Sequence, residues 1–115
     1  MKVISIKENS DFKRLYYRGK SEVRRSVALY FRKNRFSYNR LGITVSPKLG
    51  KAVVRNAVKR RLKENYRLLQ GLLEKGYDIV IVARKRAAQA SFYELKNDLE
   101  SALRDGGLLK GNEND

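Results

Sequence analysis

The residue types best suited to chemistry here are cations, and they are densest in residues 51–67. On a helical wheel of about 100° per residue, one apolar arc is shared by Val54, Val58, Leu62, Tyr66 and Leu69. The neighbouring arc holds the polar side chains Arg55, Asn56, Lys59, Arg60, Lys63 and Arg67, and Lys51 stands at the start of the segment. The only acid among them is Glu64, whereas a solubilising helix usually carries both signs. The segment therefore predicts a helix that is buried along one stripe and binds a polyanion along the next.

The overall charge points to the same kind of partner. The 115 residues carry 27 Lys and Arg against 12 Asp and Glu, and the net charge of +15 is typical of a protein with a polyanionic ligand. There is no cysteine and no histidine, which excludes thiol catalysis, cysteine metal sites and the usual general base at neutral pH. The carboxylates before residue 71 show no spacing typical of a two-metal site. A nuclease whose active site consists of protein side chains is therefore poorly supported.

Aromatic residues are interleaved with the cations in this first part of the chain. Those before residue 70 are Phe12, Tyr16, Tyr17, Tyr30, Phe31, Phe36, Tyr38 and Tyr66. Single-stranded RNA is bound by cations along its phosphates and by exposed rings on which its bases stack. Composition does not distinguish RNA from DNA, but no helix-turn-helix pattern supports a DNA-binding protein. No apolar run approaches the roughly 20 residues of a membrane span, so we expect a soluble, cytoplasmic protein with no membrane partner.

Periodicity predicts six elements in a single domain, residues 1–115. A short helix over residues 11–18 follows Ser10, whose hydroxyl would cap it, and stops at Gly19 in a left-handed conformation. Residues 26–32 and 41–46 alternate as strands and suit an antiparallel pair. The basic helix then runs to about residue 70.

The last third of the chain supplies one more strand and a final helix. Residues 77–83 are a continuous apolar run, which indicates a central strand buried on both faces. Ser91 and Glu94 match a capping box, and the helix that it starts ends near Gly106. Residues 108–115 are expected to be a frayed tail. The order is α-β-β-α-β-α, an α+β (α/β sandwich-like) domain with helices packed on a small mixed sheet.

Two of these elements offer rings for binding. Phe12 and Tyr16 are four residues apart on the first helix and share a face, and Tyr30 and Arg32 lie on the less apolar face of the first strand. Thr44 and Ser46 join that face if the two strands agree in register. Each ring could equally be part of the core or cap the edge of the sheet.

Residues 50–64, Gly-Lys-Ala-Val-Val-Arg-Asn-Ala-Val-Lys-Arg-Arg-Leu-Lys-Glu, resemble the Arg-Asn-Arg signature of the bacterial ribonuclease P protein component. The similarity extends over nearly the whole chain. Its other parts are Asp11-Phe12 with Tyr16 and Gly19, and residues 27–30, 40–46 and 78–85.

The resemblance implies a basic protein subunit of an endoribonuclease that removes the 5′ leader of precursor tRNA. The partner would be a catalytic RNA, with Mg²⁺ held by that RNA and the substrate, and no residue of this chain would be catalytic. The signature helix would face the catalytic RNA, and Phe12, Tyr16 and Tyr30 would form the leader cleft, to which we add Arg32. No obligate protein partner is predicted. The alternative is a ribosomal RNA-binding protein with no catalytic role.

The chain differs from the family signature at Ala57, and the fold implied by the resemblance has an unusual crossover. Ala57 stands where the signature usually has its second Arg, which predicts one missing phosphate contact. Arg61 is nearby but lies at the edge of the apolar arc, which argues against compensation. Lys51 begins the helix without a good cap. The resemblance also implies a left-handed β-α-β crossover, whereas about 98% of such connections are right-handed.

Overall fold

A four-stranded mixed sheet with helices on both faces is the framework of residues 2–111, which the computed structural model describes. The helices are α1 (Asn9–Arg18), α2 (Ala52–Leu69) and α3 (Phe92–Asp105). The strands are β1 (Lys20–Val23), β2 (Val27–Lys33), β3 (Arg40–Thr44) and β4 (Tyr77–Ala83). The predicted single α+β domain and its element order are confirmed, with β1 as an addition. β1 has four mostly exposed residues, so it gives no apolar alternation from which a strand could be predicted.

The strand order across the sheet is β1-β2-β4-β3. β4 is antiparallel to β2 and parallel to β3, so the predicted pairing of the two earlier strands is wrong: β4 lies between them. Its apolar run explains this position, because a strand buried on both faces is most stable at the centre. Its central place in the sheet was predicted. α2 connects β3 to β4, and the left-handed sense of this crossover stays an expectation from the resemblance.

One face of the sheet is covered by α2 and α3. Val27, Leu29, Ile79 and Ile81 have no exposed surface and pack against side chains of both helices. Each such side chain contributes roughly 1.5–3 kcal/mol of burial free energy. Tyr66 of α2 belongs to this core, where burial raises its pKa to about 12.

The other face is covered only in the middle, by α1. Leu15 packs on Val80, while the Phe12 ring lies over Gly42 of β3. A Cβ atom at residue 42 would be 2.6 Å from that ring, so only glycine lets the helix approach this closely. α1 runs across the strands, from β3 near Phe12 to β2 near Gly19.

The ends of α1 and α3 differ in part from expectation. α1 begins at Asn9, so Ser10 lies inside the helix and caps nothing, and Glu8 at the N-cap makes no side-chain cap. Gly19 is extended rather than left-handed, and its lack of a side chain matters because a Cβ would lie 2.5 Å from the Leu15 carbonyl oxygen. The Ser91 cap is confirmed, since its Oγ accepts a hydrogen bond from the Glu94 amide at 3.0 Å.

Segments near both ends of the described residues pack onto the domain. Ile6 N donates to the Leu41 carbonyl at 2.9 Å and Leu41 N donates to that of Ile4 at 2.8 Å, so the N-terminal segment pairs with the free edge of β3. Leu108 is fully buried, and Leu109 bridges to Leu73, so the chain stays packed at the start of the predicted frayed tail. The end of that tail, residues 112–115, lies outside the described residues.

Candidate nucleic-acid interface

The outward surface of α2 carries most of the predicted binding residues. Lys51, Asn56, Lys59, Arg60, Lys63 and Arg67 are exposed, and Arg55 is half-buried. The buried stripe contains Val58, Leu62 and Tyr66, as the wheel predicted. Lys59, Arg60 and Lys63 make no ion pair within residues 2–111, so their charges are available to a ligand. The surface formed by Lys51, Arg55, Asn56, Lys59, Arg60, Lys63 and Arg67 is called the α2 cationic face below.

Two members of the α2 cationic face already have partners. Arg67 donates two hydrogen bonds to Glu64, at 3.0 and 2.6 Å, which raise the pKa of Arg67 and lower that of Glu64. Arg67 is therefore the least available of the cations. Arg55 Nε donates to the Gly50 carbonyl at 3.2 Å, which holds the base of this side chain against the turn before the helix.

The start of α2 is uncapped by side chains, as predicted. Lys51 occupies the N-cap position and makes no side-chain hydrogen bond to the first turn. Before it, Gly50 adopts a φ of 144°, which disfavours any other residue. Ser46 lies beyond β3, not on the sheet face, and its Oγ accepts a hydrogen bond from Lys48 N. The N–H groups of the first turn of α2 therefore remain uncapped, and this positive end of the helix can attract an anion.

Ala57 and Arg61 lie on the flank of α2 away from Arg55 and Lys59. Both side chains are half-buried, which fits the predicted position of Arg61 at the edge of the apolar stripe. The phosphate contact that is expected to be missing at Ala57 would therefore lie on this flank only.

Three predicted aromatic residues come together on the opposite side of the sheet. The rings of Tyr16 and Tyr30 meet edge to face, with centroids 5.1 Å apart and an interplanar angle of 89°. The Tyr16 hydroxyl is 3.2 Å from Oγ1 of Thr44, which fixes the Tyr16 ring above β3. Tyr16 is 40% exposed, while Phe12 and Tyr30 are half-buried. Phe12, Tyr16, Tyr30 and Thr44 form what is called the aromatic groove.

Arg32 lies apart from the aromatic groove. It is two residues from Tyr30 along β2, about 6.6 Å, and is paired in register with Asp78. The helix α1 lies over the row of Tyr30, Val80 and Gly42, so Arg32 is on its other side. The structure thus brings Phe12, Tyr16 and Tyr30 together and places Arg32 in a neighbouring recess.

That recess is a cavity of about 600 Å³ between α1, β2 and the β2–β3 connection, called the cationic cavity. Its cations are Arg14, Arg18, Arg32, Lys33, Arg35 and Arg40. The two carboxylates in the lining are those of Asp11 and Asp78. Sequence reasoning named only Arg32 of these; the spacing of Arg14 and Arg18, four residues apart on α1, was the available signal.

Asp78 fixes the floor of the cationic cavity. Its carboxylate accepts hydrogen bonds from Arg40 at 2.8 and 2.6 Å and from Asn34 at 2.9 Å. Burial alone would raise the pKa of Asp78, but the hydrogen bonds from Arg40 and Asn34, with the positive charge of Arg40, outweigh it and hold the pKa below its usual value. Arg40 also contacts Asp11 at 3.5 Å. Both acids are thus already occupied by arginines of the lining.

The other early aromatics differ widely in exposure. Phe31 and Tyr66 are buried in the core and offer no face to bases, which agrees with their places on the apolar side of β2 and in the apolar stripe of α2. Tyr17 is 86% exposed on the outer surface of α1. Phe36 and Tyr38 stack on each other in the β2–β3 connection, with centroids 4.9 Å apart.

Two other kinds of site are absent from the part of the chain that the structure describes. Residues 2–111 contain no cluster of three or more His, Cys, Asp or Glu side chains that could hold a metal ion. No helix in the same range is both long and apolar enough to cross a membrane.

Comparison with known proteins identifies the family. A family model described as Ribonuclease P matches residues 1–106. A ribonuclease P protein component from Thermoanaerobacter sp. (strain X514) is 41% identical over 112 residues, which cover 97% of each chain. The component from Clostridium kluyveri is 43% identical over 112 residues, covering 96% of this chain and 100% of its own.

Solved structures agree with this assignment. The Staphylococcus aureus RNase P protein at 2.0 Å matches with a TM-score of 0.86 and 35% identity, covering 95% of this chain and all of that one. The Thermotoga maritima RNase P protein matches with a TM-score of 0.77 and 35% identity, covering 84% of this chain and 92% of that one. This chain belongs to the family of bacterial ribonuclease P protein components.

Proposed function

We propose that the two binding surfaces divide the work of a ribonuclease P protein subunit. The α2 cationic face binds the catalytic RNA, and the aromatic groove holds the single-stranded 5′ leader of precursor tRNA. The holoenzyme then cleaves the leader and releases tRNA with a mature 5′ end. Because both partners are RNAs made in the cytoplasm of bacteria, we place the protein there.

The observation that carries this proposal is the aromatic groove. Partly exposed rings suit bases that are unpaired, and a double-stranded stem cannot present its bases to them. A leader is single-stranded, whereas mature tRNA lacks it altogether. The aromatic groove therefore favours the substrate over the product, and release of the product follows from the loss of those contacts.

The protein's contribution to cleavage is positioning and charge neutralisation. The unpaired cations of the α2 cationic face lower the repulsion between phosphates of the RNA subunit and those of the substrate. Mg²⁺ held by the RNA and the substrate supplies activation of the attacking water and stabilisation of the leaving oxygen. No side chain of this protein is assigned a chemical step.

The test compares precursor and mature tRNA binding to the holoenzyme with Tyr30→Ala. We expect binding of precursor tRNA to weaken by roughly tenfold, within the range for loss of one base–ring stack, and binding of mature tRNA to stay unchanged. Tyr30→Phe keeps the ring and should restore binding. The matched control is Tyr93→Ala, because Tyr93 is 71% exposed on α3, on the other face of the sheet. If binding of precursor tRNA and of mature tRNA weakened equally, the aromatic groove would not be the binding site of the leader.

A ribosomal protein is the alternative that the sequence left open. It is not favoured by any contact described above, and the family assignment speaks against it.

A further inference from the structure

The cationic cavity lies outside both surfaces used above and is strongly charged. Six cations against two carboxylates give its lining a net charge of +4. The carboxylates are occupied by Arg14, at 3.0 Å from Asp11, and by Arg40 on Asp78. The remaining four cations, Arg18, Arg32, Lys33 and Arg35, make no ion pair or side-chain hydrogen bond within residues 2–111.

Four unpaired cations around one recess repel one another, and none of them is held by an ion pair or side-chain hydrogen bond in residues 2–111 that would offset this repulsion. A lining that served only to keep the protein in solution would mix both signs or spread the charges apart. Arginine is the cation best suited to hold a phosphate, because its planar guanidinium donates two parallel hydrogen bonds. A cavity of about 600 Å³ is also large enough for a phosphate with part of a nucleotide.

The floor of the cationic cavity is held by a network of hydrogen bonds. Asp78 binds Arg40 through two hydrogen bonds and Asn34 through a third, and Asn34 in turn accepts a hydrogen bond from Phe36 N at 2.8 Å. The strand residues and the β2–β3 connection are thus tied together beneath the free cations. This preorganisation lowers the entropy cost of binding an anion.

The outer surface of α1 links the cationic cavity to the aromatic groove. α1 is a single helix, so the two recesses are separated by no more than its diameter, about 10 Å. Its solvent side presents Lys13 and Tyr17 between Tyr16, in the groove, and Arg18, in the cavity. An RNA strand that leaves the groove over α1 meets further cations and a ring before it reaches the cavity.

We propose that the cationic cavity is a second RNA-binding subsite, which takes a phosphodiester group on the far side of α1 from the aromatic groove. Arg18, Arg32 and Arg35 hold the phosphate, and the Asp78–Arg40 pair keeps the floor in place. Two strands carry this chemistry: the leader beyond the part held in the groove, and a strand of the RNA subunit. The subsite rests on the proposed function in that its ligand is RNA and, where that RNA is the leader, in that the aromatic groove holds the adjoining part.

The experiment uses the reconstituted holoenzyme with the double variant Arg18→Gln, Arg35→Gln. Its matched control is Lys96→Gln, Lys110→Gln, which removes two positive charges far from the cavity, on α3 and after it. Affinity is measured for two precursor tRNAs, one whose leader is long enough to cross α1 and one whose leader ends in the groove. Assembly of each protein variant with the RNA subunit is measured separately.

If the leader supplies the phosphate, the cavity variant binds the long-leader RNA about tenfold more weakly than the control does, and the short-leader RNA equally well. If the RNA subunit supplies it, assembly weakens by a similar factor and both precursors are affected alike. Either result supports the subsite and identifies which RNA supplies the phosphate. Equal behaviour of the two double variants in all three measurements would overturn it, and this outcome is independent of the Tyr30→Ala result.

Discussion

The two faces of the sheet provide binding surfaces in different ways. On the face covered by α2 and α3, the central side chains of β2 and β4 are fully buried, so binding residues lie on the outside of a helix. On the other face α1 has only ten residues and covers the middle of the sheet, which leaves a recess on each side. An exposed helix surface tolerates gain or loss of a charge, whereas a recess between helix and sheet depends on the contacts beneath it. The predictions below test this difference.

The largest effect is expected from Asp78→Asn, beneath the cationic cavity. The amide cannot replace the two charge-assisted hydrogen bonds to Arg40, so the free energy of unfolding at pH 7 should fall by about 2 kcal/mol. Because the fold lowers the pKa of Asp78, its stabilisation is complete above the unfolded pKa of about 3.9 and is lost as pH falls through the lower folded value. Urea unfolding should therefore show a gap between wild type and variant that narrows from pH 5 towards pH 2.

The control for this variant is Asp105→Asn. Asp105 also pairs with an arginine, Arg24, at 2.6 Å, but its side chain is 60% exposed, so its loss should cost less than about 1 kcal/mol. If the two variants lost equal free energy of unfolding, the contacts of Asp78 beneath the cationic cavity would matter no more than an exposed ion pair. The proposed difference between the two faces of the sheet would then be wrong.

A smaller effect is expected on the α2 cationic face from Arg55→Ala with Lys59→Ala. Stability should change little, because Lys59 is exposed and Arg55 gives up a single exposed hydrogen bond, to the Gly50 carbonyl. Each lost phosphate contact lowers the slope of log affinity against log salt by roughly 0.7 to 0.9, so the pair should lower it by about 1.4 to 1.8. The measurement is binding to the RNA subunit across a salt series. An unchanged slope would remove these two residues from the interface.

The smallest effect is expected from Ala57→Arg, which adds the cation that the family signature usually has. The flank around Ala57 is half-buried, and an arginine there can extend to solvent. The salt slope for the RNA subunit should steepen by roughly 0.7 to 0.9. Ala57→Gln provides a long side chain without the charge, and it should leave the slope as it is. A gain by both variants alike would mean that length, not charge, is what Ala57 lacks.

The features predicted from sequence are those set by local periodicity. The buried and cationic stripes of α2 follow from residue spacing within one helix, and the central place of β4 follows from one apolar run. The family resemblance predicts that Phe12, Tyr16 and Tyr30 form a cleft, whereas spacing alone allows each of them to be a core residue. The structure supplies the contact that places Tyr16, the hydroxyl pair with Thr44.

The features that sequence did not predict depend on contacts between distant residues. The alternation of apolar and polar residues in β2 and β3 fits a sheet in which the two strands are neighbours and equally one in which β4 lies between them. The order of the strands therefore does not follow from the alternation. The position of α1 on the sheet decides that Arg32 lies with the cavity, and that position depends on the close approach at Gly42. The Arg40 partner of Asp78 is 38 residues away, and only the strand register brings the two together.

The pairing of the N-terminal segment with β3 has a consequence for the protein when it is not bound to RNA. A sheet edge with free amides and carbonyls can add a strand from another molecule and so start aggregation. The backbone of Ile4 and Ile6 occupies part of the β3 edge, and β1 at the opposite edge is short and carries charges at Lys20 and Glu22. Newly made protein is thus protected against intermolecular strand pairing during the interval before it joins its RNA.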